Sequence, residues 1–403
     1  MGAARASNVL ELGELGFDSG AHVLVKRALA RLAPGEQLEV RGSAAELGIH
    51  AAAWARAEGH DAEFAPAGAA YVLRLAPGAA HGARWRGVER AGAGAGPEHV
   101  VERAPQGWGL AARGAAVEAG APEFDFAHTN KLELWADDLG ALYRQALASQ
   151  WDPATAVPWN APHTHGDELE DALVSVLTYL IENETAALIV PARFAASVHP
   201  HFREVQQLLA IQAADEARHI EVFTRRATLR RSQLGLSTAG GQASLKTLID
   251  EPDFALASLL LSVLGEGSFV NLLWFLHEHA PDECTRAIMK LTAQDEARHV
   301  AFGVAHLARQ SREDTSLAPR LAAAIERRHD ALRGTAGLNA EVFDALIVLA
   351  AGAFEPASIA AGHQAVVELL RQMHAGRRNR LRLVGLQPEQ AEALSALHTR
   401  NFM

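Results

Sequence analysis

Two blocks of the 403-residue chain hold side chains able to do chemistry together: Gln212–Phe223, QAADEARHIEVF, and Thr292–Gly303, TAQDEARHVAFG. Each carries Glu and His at i and i+3, as Glu216/His219 and Glu296/His299. On a helix that spacing puts both side chains on one face, one turn apart. One carboxylate and one imidazole from each of two helices make half of a two-metal carboxylate site. The other half is one further Glu from each of two more helices. A single ExxH is ordinarily a solvated surface pair. A repeated DEARH, each copy preceded by an apolar run with a Glu inside it, points instead to metal.

Four helices must position these groups. The pattern predicts them over 167–198, 200–231, 252–279 and 281–312, with Pro200 and Pro281 opening the second and fourth. Residues 232–251, with Gly240-Gly241, form a long crossing between the two pairs. Short turns within pairs and a long crossing between them match a ferritin-like bundle. In an antiparallel pair, residues at equal depth lie equally far from the turn. The midpoint of Glu266 and Glu296 falls on Pro281, and that of Glu184 and Glu216 falls on Pro200. Glu182 would place the first midpoint one residue earlier, so Glu184 is favoured and Glu182 stays open. The candidate ligands, and the candidate catalytic set, are therefore Glu184, Glu216, His219, Glu266, Glu296 and His299. Four carboxylates and two imidazoles offset two divalent cations and suit iron or manganese. Asp215 and Asp295 are placed to accept the outer N–H of each imidazole across the bundle. Arg218 and Arg298 are placed to pair with those aspartates, and a surface salt bridge is the plainer alternative. His163, His165, His277 and His279 are the remaining candidates for extra ligands.

Composition bounds the rest. The chain is 49% hydrophobic and 21% charged, with a formal net charge of -11 and no dense Lys/Arg run, which argues against a nucleic-acid partner. A single cysteine, Cys284, precludes an intrachain disulfide and suits a reducing, cytoplasmic setting. The N-terminus lacks the apolar core of a signal peptide. Phe254–Leu276 is long enough to span a membrane, but it carries Glu266 near its middle. We expect the most buried helix of a soluble bundle and no membrane partner.

Four units are expected: a small α/β domain over 1–76, a Gly/Ala-rich linker over 77–130, the bundle over 131–315 and a helical extension over 316–403. Trp85 and Trp108 are candidates to pin the linker to a neighbouring surface. Within 1–76 the order is β-α-β-α-β-β: Val9–Leu12, Ala21–Leu32, Gln37–Arg41, Ala44–Glu58, Ala62–Phe64 and Tyr71–Leu75. Helices over 340–375 and 387–399 would pack on the bundle or on a second subunit, and a homodimer is expected. The fold class is thus mainly α, a ferritin-like four-helix bundle with extra helices plus a small N-terminal α/β domain.

The N-terminal order, with LAPGEQLEV and AAAWARAEGHDAEF, resembles the sulfur-carrier fold of the TusA type. That family's nucleophile is a Cys-Pro at the start of the first helix. Here the stretch reads Gly20-Ala21-His22-Val23, so the unit is taken as a docking appendage and His22 as an ordinary helix-start residue. The paired DEARH blocks, the Glu on alternate helices and the long crossing resemble the ferritin-like di-iron carboxylate superfamily over residues 130–310. LYRQALASQWDPATAVPW, 142–159, is similar to the bundle entry of bacterial O2-activating multicomponent oxygenases and ring-CoA epoxidases.

These resemblances imply two iron ions, or a Mn/Fe pair, with O2 as co-substrate. Subclass marks are missing. Phe223 stands where a radical-forming subunit has Tyr, Val270 where hydrocarbon monooxygenases have Thr, and Thr292 where N-oxygenases have a seventh ligand. The expected function is a non-haem di-iron, O2-dependent oxidase or oxygenase acting on a small organic substrate with an electron donor as partner. Apolar neighbours of Glu266 (Leu264, Phe269, Leu272, Leu273) favour a dry space for that substrate. The alternatives are a ferroxidase or iron-storage protein, and a binding module stabilised by metal.

Overall fold

The computed structural model describes residues 8–33, 35–67, 70–78, 85–333 and 340–397. Contacts divide the chain into two units: residues 1–89 with 116–121, and residues 90–115 with 122–403.

The first unit follows the alternation of its sequence. β1 (Val9–Glu11), α1 (Ala21–Leu29), β2 (Leu38–Gly42), α2 (Leu47–Ala57), β3 (Asp61–Ala67) and β4 (Ala70–Ala76) build one sheet in the order β1-β2-β4-β3. β1 runs parallel to β2, and β4 is antiparallel to both its neighbours. Period-2 burial in β2 sends Leu38 and Val40 inward against Val25, Leu29 and Ala51. His22 lies at the start of α1, its Nδ1 3.4 Å from the Phe17 carbonyl. Within the expected linker, Trp85 is exposed, while Trp108 packs against the His201 ring at 5.1 Å. Residues 79–84 of that linker lie outside the described residues.

The second unit is helical. α3 (Lys131–Leu134), α4 (Leu139–Ala148) and α5 (Pro153–Ala156) lead into the bundle helices α6 (Asp167–Ser197) and α7 (Arg203–Ala227). α8 (Ala239–Ile249) follows, then α9 (Phe254–Glu278) and α10 (Glu283–Glu313). α11 (Leu317–Leu332), α12 (Ala340–Ala351), α13 (Pro356–Leu383) and α14 (Pro388–Ala396) complete it.

The four long bundle helices lie where the spacing put them, and this is a ferritin-like four-helix bundle. Their starts differ in detail. Pro200 opens a short 3-10 turn before α7, and Asp282, not Pro281, caps α10 by accepting from the Thr285 N–H at 2.8 Å. Asp253 caps α9 in the same way through Leu256. The crossing is not bare connection: Thr238 caps α8 inside it, which burial of Leu245 and Leu248 holds to the bundle. The helical stretch expected over 340–375 is α12 and α13, separated at Gly352, whose φ of 64° favours glycine. α6 and α9 are long and apolar enough to cross a membrane, yet most of each is buried against the other helices.

Burial along the four helices is layered. One apolar cluster takes Ala186–Val198 of α6, Val205–Leu209 of α7, Phe254–Leu264 of α9 and Phe302 with Leu307 of α10. A second takes Ala172–Leu180, Val222–Ala227, Phe269–Leu276 and Cys284–Ala293 of the same helices. The interval left between them holds 183–184, 212–219, 266 and 295–299. A polar layer therefore crosses the bundle between two greasy ones.

Candidate metal centre

All six candidate ligands fall in that layer. Each is buried, and none exceeds 5% exposure. Burying four carboxylates so close together is costly unless cations or protons neutralise them.

Their arrangement is two-fold. His219 Nδ1 faces Glu216 Oε2 at 3.1 Å, Glu296 Oε1 at 3.2 Å and Glu184 Oε2 at 3.7 Å. His299 Nδ1 faces Glu216 Oε1 at 3.0 Å, Glu296 Oε2 at 3.4 Å and Glu266 Oε1 at 4.0 Å. Glu216 and Glu296 thus put one oxygen into each half, while Glu184 and Glu266 each serve one. The ligand-type atoms form two groups that share both bridging residues: Glu184, Glu216, His219, Glu296 and Glu216, Glu266, Glu296, His299. Glu182 is in neither group.

The outer face of each imidazole is fixed. His219 Nε2 lies 3.2 Å from Asp295 Oδ2, and His299 Nε2 lies 3.2 Å from Asp215 Oδ2. Each aspartate serves the histidine of the other helix. Arg218 donates to Asp215 at 2.5 Å and to Asp295 at 2.8 Å, and Arg298 pairs with Asp295 and sits 3.5 Å from Asp215. This leaves Nδ1 of both rings pointing inward, the orientation a metal ligand needs.

The charges follow from this geometry. Burial, then Glu296, pushes the Glu184 and Glu266 carboxyls well above the usual range. For Glu216, burial acts upward but His299 and His219 outweigh it and hold the carboxyl down. Burial would lower both imidazoles, yet Asp295 and the glutamates around His219, and Glu216 with Asp215 around His299, raise them well above the ordinary value. Asp215 and Asp295 are held low by the same histidines against the pull of burial.

A direct test of fit is which atoms lack partners. Among the described residues, Glu184 Oε1, Glu216 Oε1, Glu266 Oε2, both Glu296 oxygens and His299 Nδ1 are buried with no well-aligned hydrogen bond, although His299 Nδ1 and Glu216 Oε1 lie 3.0 Å apart. Buried acceptors without hydrogen bonds, converging from four helices, suit two divalent cations.

The four extra histidines take no part in either group. His165 pairs with Glu170 at 2.6 Å, His163 lies 3.5 Å from Asp282, and His277 faces the Arg286 carbonyl at 2.8 Å. The His279 ring lies tilted against Phe275 at 4.5 Å, and burial lowers its pKa.

Other residues at the site carried no assigned role in the sequence. Trp151 donates its indole N–H to Asp295 Oδ2 at 2.8 Å, and Gln150 donates to Asp215 at 2.9 Å. Both lie in 142–159, the bundle-entry stretch. Gln212, one turn before Glu216, donates to Glu266 Oε1 at 2.9 Å. A cavity of about 20 Å³ touches Glu184 and Glu266 and is walled by Asn183, Ala187, Leu245, Leu248, Leu261 and Phe269. Of the apolar neighbours expected around Glu266, Phe269 lines it, while Leu264, Leu272 and Leu273 are buried in the two clusters.

No family model matches the chain, and no curated protein is similar to it. Among solved structures it is similar to a variant R2-like ligand-binding oxidase with an aerobically reconstituted Mn/Fe cofactor, at TM-score 0.44 and 16% identity over 64% of this chain and 94% of that one. It is similar to the R2-like ligand-binding oxidase from Sulfolobus acidocaldarius, at 0.44 and 17% over 68% and 97%. A third, an R2-like variant with an Fe/Fe cofactor, gives 0.46 and 17% over 66% and 95%. Likeness at this level carries no argument about activity.

Proposed function

We propose that this chain is a two-metal, O2-dependent oxidase or oxygenase acting on a small organic molecule. The observation that carries the reading is the split of Glu216 and Glu296, each with one oxygen in either histidine half. Such carboxylates suit a cation pair rather than one ion. Glu184 and His219 would hold one metal, Glu266 and His299 the other, with Glu216 and Glu296 common to both. Bound there, two iron ions or a Mn/Fe pair supplies the reduction of O2 and the oxidation of a nearby organic molecule.

The protein's part is placement and exclusion. The Asp–imidazole bonds fix both rings. Two apolar clusters shut water out on either side. The cavity beside the terminal carboxylates has room for one water-sized molecule, since about 10–15 Å³ is the least that holds a water. A larger organic substrate fits only if Leu245 and Leu248 of α8 give way.

Electrons must arrive from a donor protein or reductant. A hydrogen-bonded run from half-buried Trp151 through Asp295 to His219 supports entry at that face. Docking by the N-terminal unit, a homodimer and a cytoplasmic setting without membrane or nucleic-acid partners belong to the same proposal.

Metal analysis of protein from its native host, then anaerobic iron loading and O2 addition, tests it. The expected result is two metals per chain, transient near-UV or visible absorption, and O2 uptake that rises with a substrate. Many irons per chain would instead show storage. Two metals inert to O2 would show a structural site.

A further inference from the structure

Glu266 does not sit on ordinary α-helix. Residues Leu259–Glu266 of α9 form a π-helical run, and the Gly267 N–H reaches back five residues to the Ser262 carbonyl. Wide turns are uncommon and less well packed than α-helix, so something must hold one in place. It also sets direction. At 3.6 residues per turn, one residue more or less in the run turns Glu266 by about 100°, away from the cluster.

Two features grip this run from opposite sides. On the outer side Arg380 of α13 donates Nε to the Val263 carbonyl at 2.7 Å. It comes that close only because residue 267 is glycine: a methyl group there would overlap the guanidinium. Among the described residues Arg380 has no carboxylate partner, its Nη2 is buried and unbonded, and burial pushes it down to about 10, still charged at neutral pH. A half-buried cation whose hydrogen bond goes to one backbone carbonyl is a poor device for general stability. On the inner side, a methyl at Gly303 of α10 would overlap Ser262, four residues before Glu266.

We propose that Arg380, with Gly267 and Gly303, clamps the wide turn and so positions Glu266 against the His299 half of the centre. The inference rests on the two-metal reading. Arg380 is a positioning residue: it touches the turn, not the metals. Its loss lets the turn relax toward regular helix, carrying the Glu266 carboxylate off line. The other half, built on regular α6 and α7, is untouched.

The test is a Co²⁺ titration of the metal-free full-length protein, read by visible absorption. The native chain should take two equivalents. Arg380→Met and Gly267→Ala should each keep one and bind the second at least about tenfold more weakly, the scale seen when groups behind a metal ligand are removed. Gly267→Ala/Arg380→Met should lose no more than either alone, because both remove one contact. Arg380→Lys should recover part of the affinity, and Arg378→Met, which removes only the surface pair with Glu392, should change nothing. If Arg380→Met fails to fold by circular dichroism, Gly267→Ala and Arg380→Lys are judged by the same criteria. Two unweakened equivalents in the folded variants overturn the clamp, whatever happens to Tm. Equal loss at both positions also overturns it. A native chain that binds no cobalt sinks the two-metal reading instead.

Discussion

α7 and α10 carry the same motif, DEARH, and differ in almost everything one turn to either side of it. At the motif they are interchangeable: each gives one carboxylate that faces both histidines, one inward Nδ1 and one aspartate for the other's imidazole. Four residues before the Glu, α7 has Gln212, which reaches Glu266, and α10 has Thr292, whose buried hydroxyl has no hydrogen bond among the described residues. Four after the His stand Phe223, in the core, and Gly303, which makes room for the π-helical run. Seven after the His stand Arg226 and His306, both 0% exposed. Arg226 is fully engaged, by Glu170 at 2.8 Å, Asp282 at 2.6 Å and Thr285 at 2.9 Å. Among the described residues His306 has no hydrogen bond on either nitrogen, and it lies against Phe254 and Phe302. A symmetric centre is therefore held by two unlike supports, and substitutions should separate them.

The largest effects belong to the shared part. Glu216→Ala or Glu296→Ala removes an oxygen from both halves, so both metals and all metal-dependent activity should go while most helix content stays. His299→Ala should abolish activity but leave the Glu184/His219 position filled. Metal analysis with circular dichroism checks this, and full occupancy in Glu216→Ala would rule out the bridging role.

Next come the supports. Arg226→Leu removes the one guanidinium that bonds both Glu170 and Asp282, leaving Glu170 to His165 and Asp282 near His163. Breaking a buried pair costs roughly 3–5 kcal/mol, so urea unfolding should show a loss of that order.

His306 is the milder case and is read by pH. Burial is the main cause of its depressed pKa, about 3, with Arg309 adding to it and Asp253 opposing. The folded state refuses a proton that the unfolded chain accepts near 6.5. The group therefore costs nothing above that pH and destabilises increasingly below it, by about 1.4 kcal/mol per pH unit. Between pH 7 and pH 5 the native protein should lose about 2 kcal/mol more than His306→Leu. Parallel loss in the two proteins would mean that the ring is protonated or hydrated in place.

Much of this was legible in the sequence, for a physical reason. Ligands recur at helical spacing, and antiparallel pairs put equal depths at equal distances from a turn, so Glu184 and Glu266 could be found by counting from Pro200 and Pro281. The αβ order of the first unit was legible because its apolar residues alternate. What escaped depends on contacts between segments far apart in the chain. Thr238 and two leucines hold α8 in the crossing, but its Gly240-Gly241 reads as loop. A π-helical run has no sequence mark of its own, and Arg380 lies 117 residues from the Val263 carbonyl it binds. Trp151 and Gln150 stood in a stretch already singled out, yet only the fold brings them to Asp295 and Asp215.

The smallest contrast is at the position one turn before each bridging Glu. Gln212 gives Glu266 Oε1 a hydrogen bond, and such a bond to a charged group is worth about 1.5–3 kcal/mol gross. Once metal is bound, part of that role passes to the cation. Gln212→Leu should therefore weaken the Glu266/His299 position by no more than about tenfold, or 1.4 kcal/mol, and spare the other. Thr292 is the opposite case. Its Oγ is buried and unbonded, so Thr292→Val exchanges a hydroxyl that has lost water for a methyl of nearly the same shape. That should leave metal binding unchanged and raise stability by up to about 1 kcal/mol. Comparing the two variants by metal titration and urea unfolding isolates the asymmetry. If Thr292→Val weakens the Glu184/His219 position as Gln212→Leu weakens the other, Thr292 is a hidden partner of Glu184 and the two halves are more alike than their contacts show.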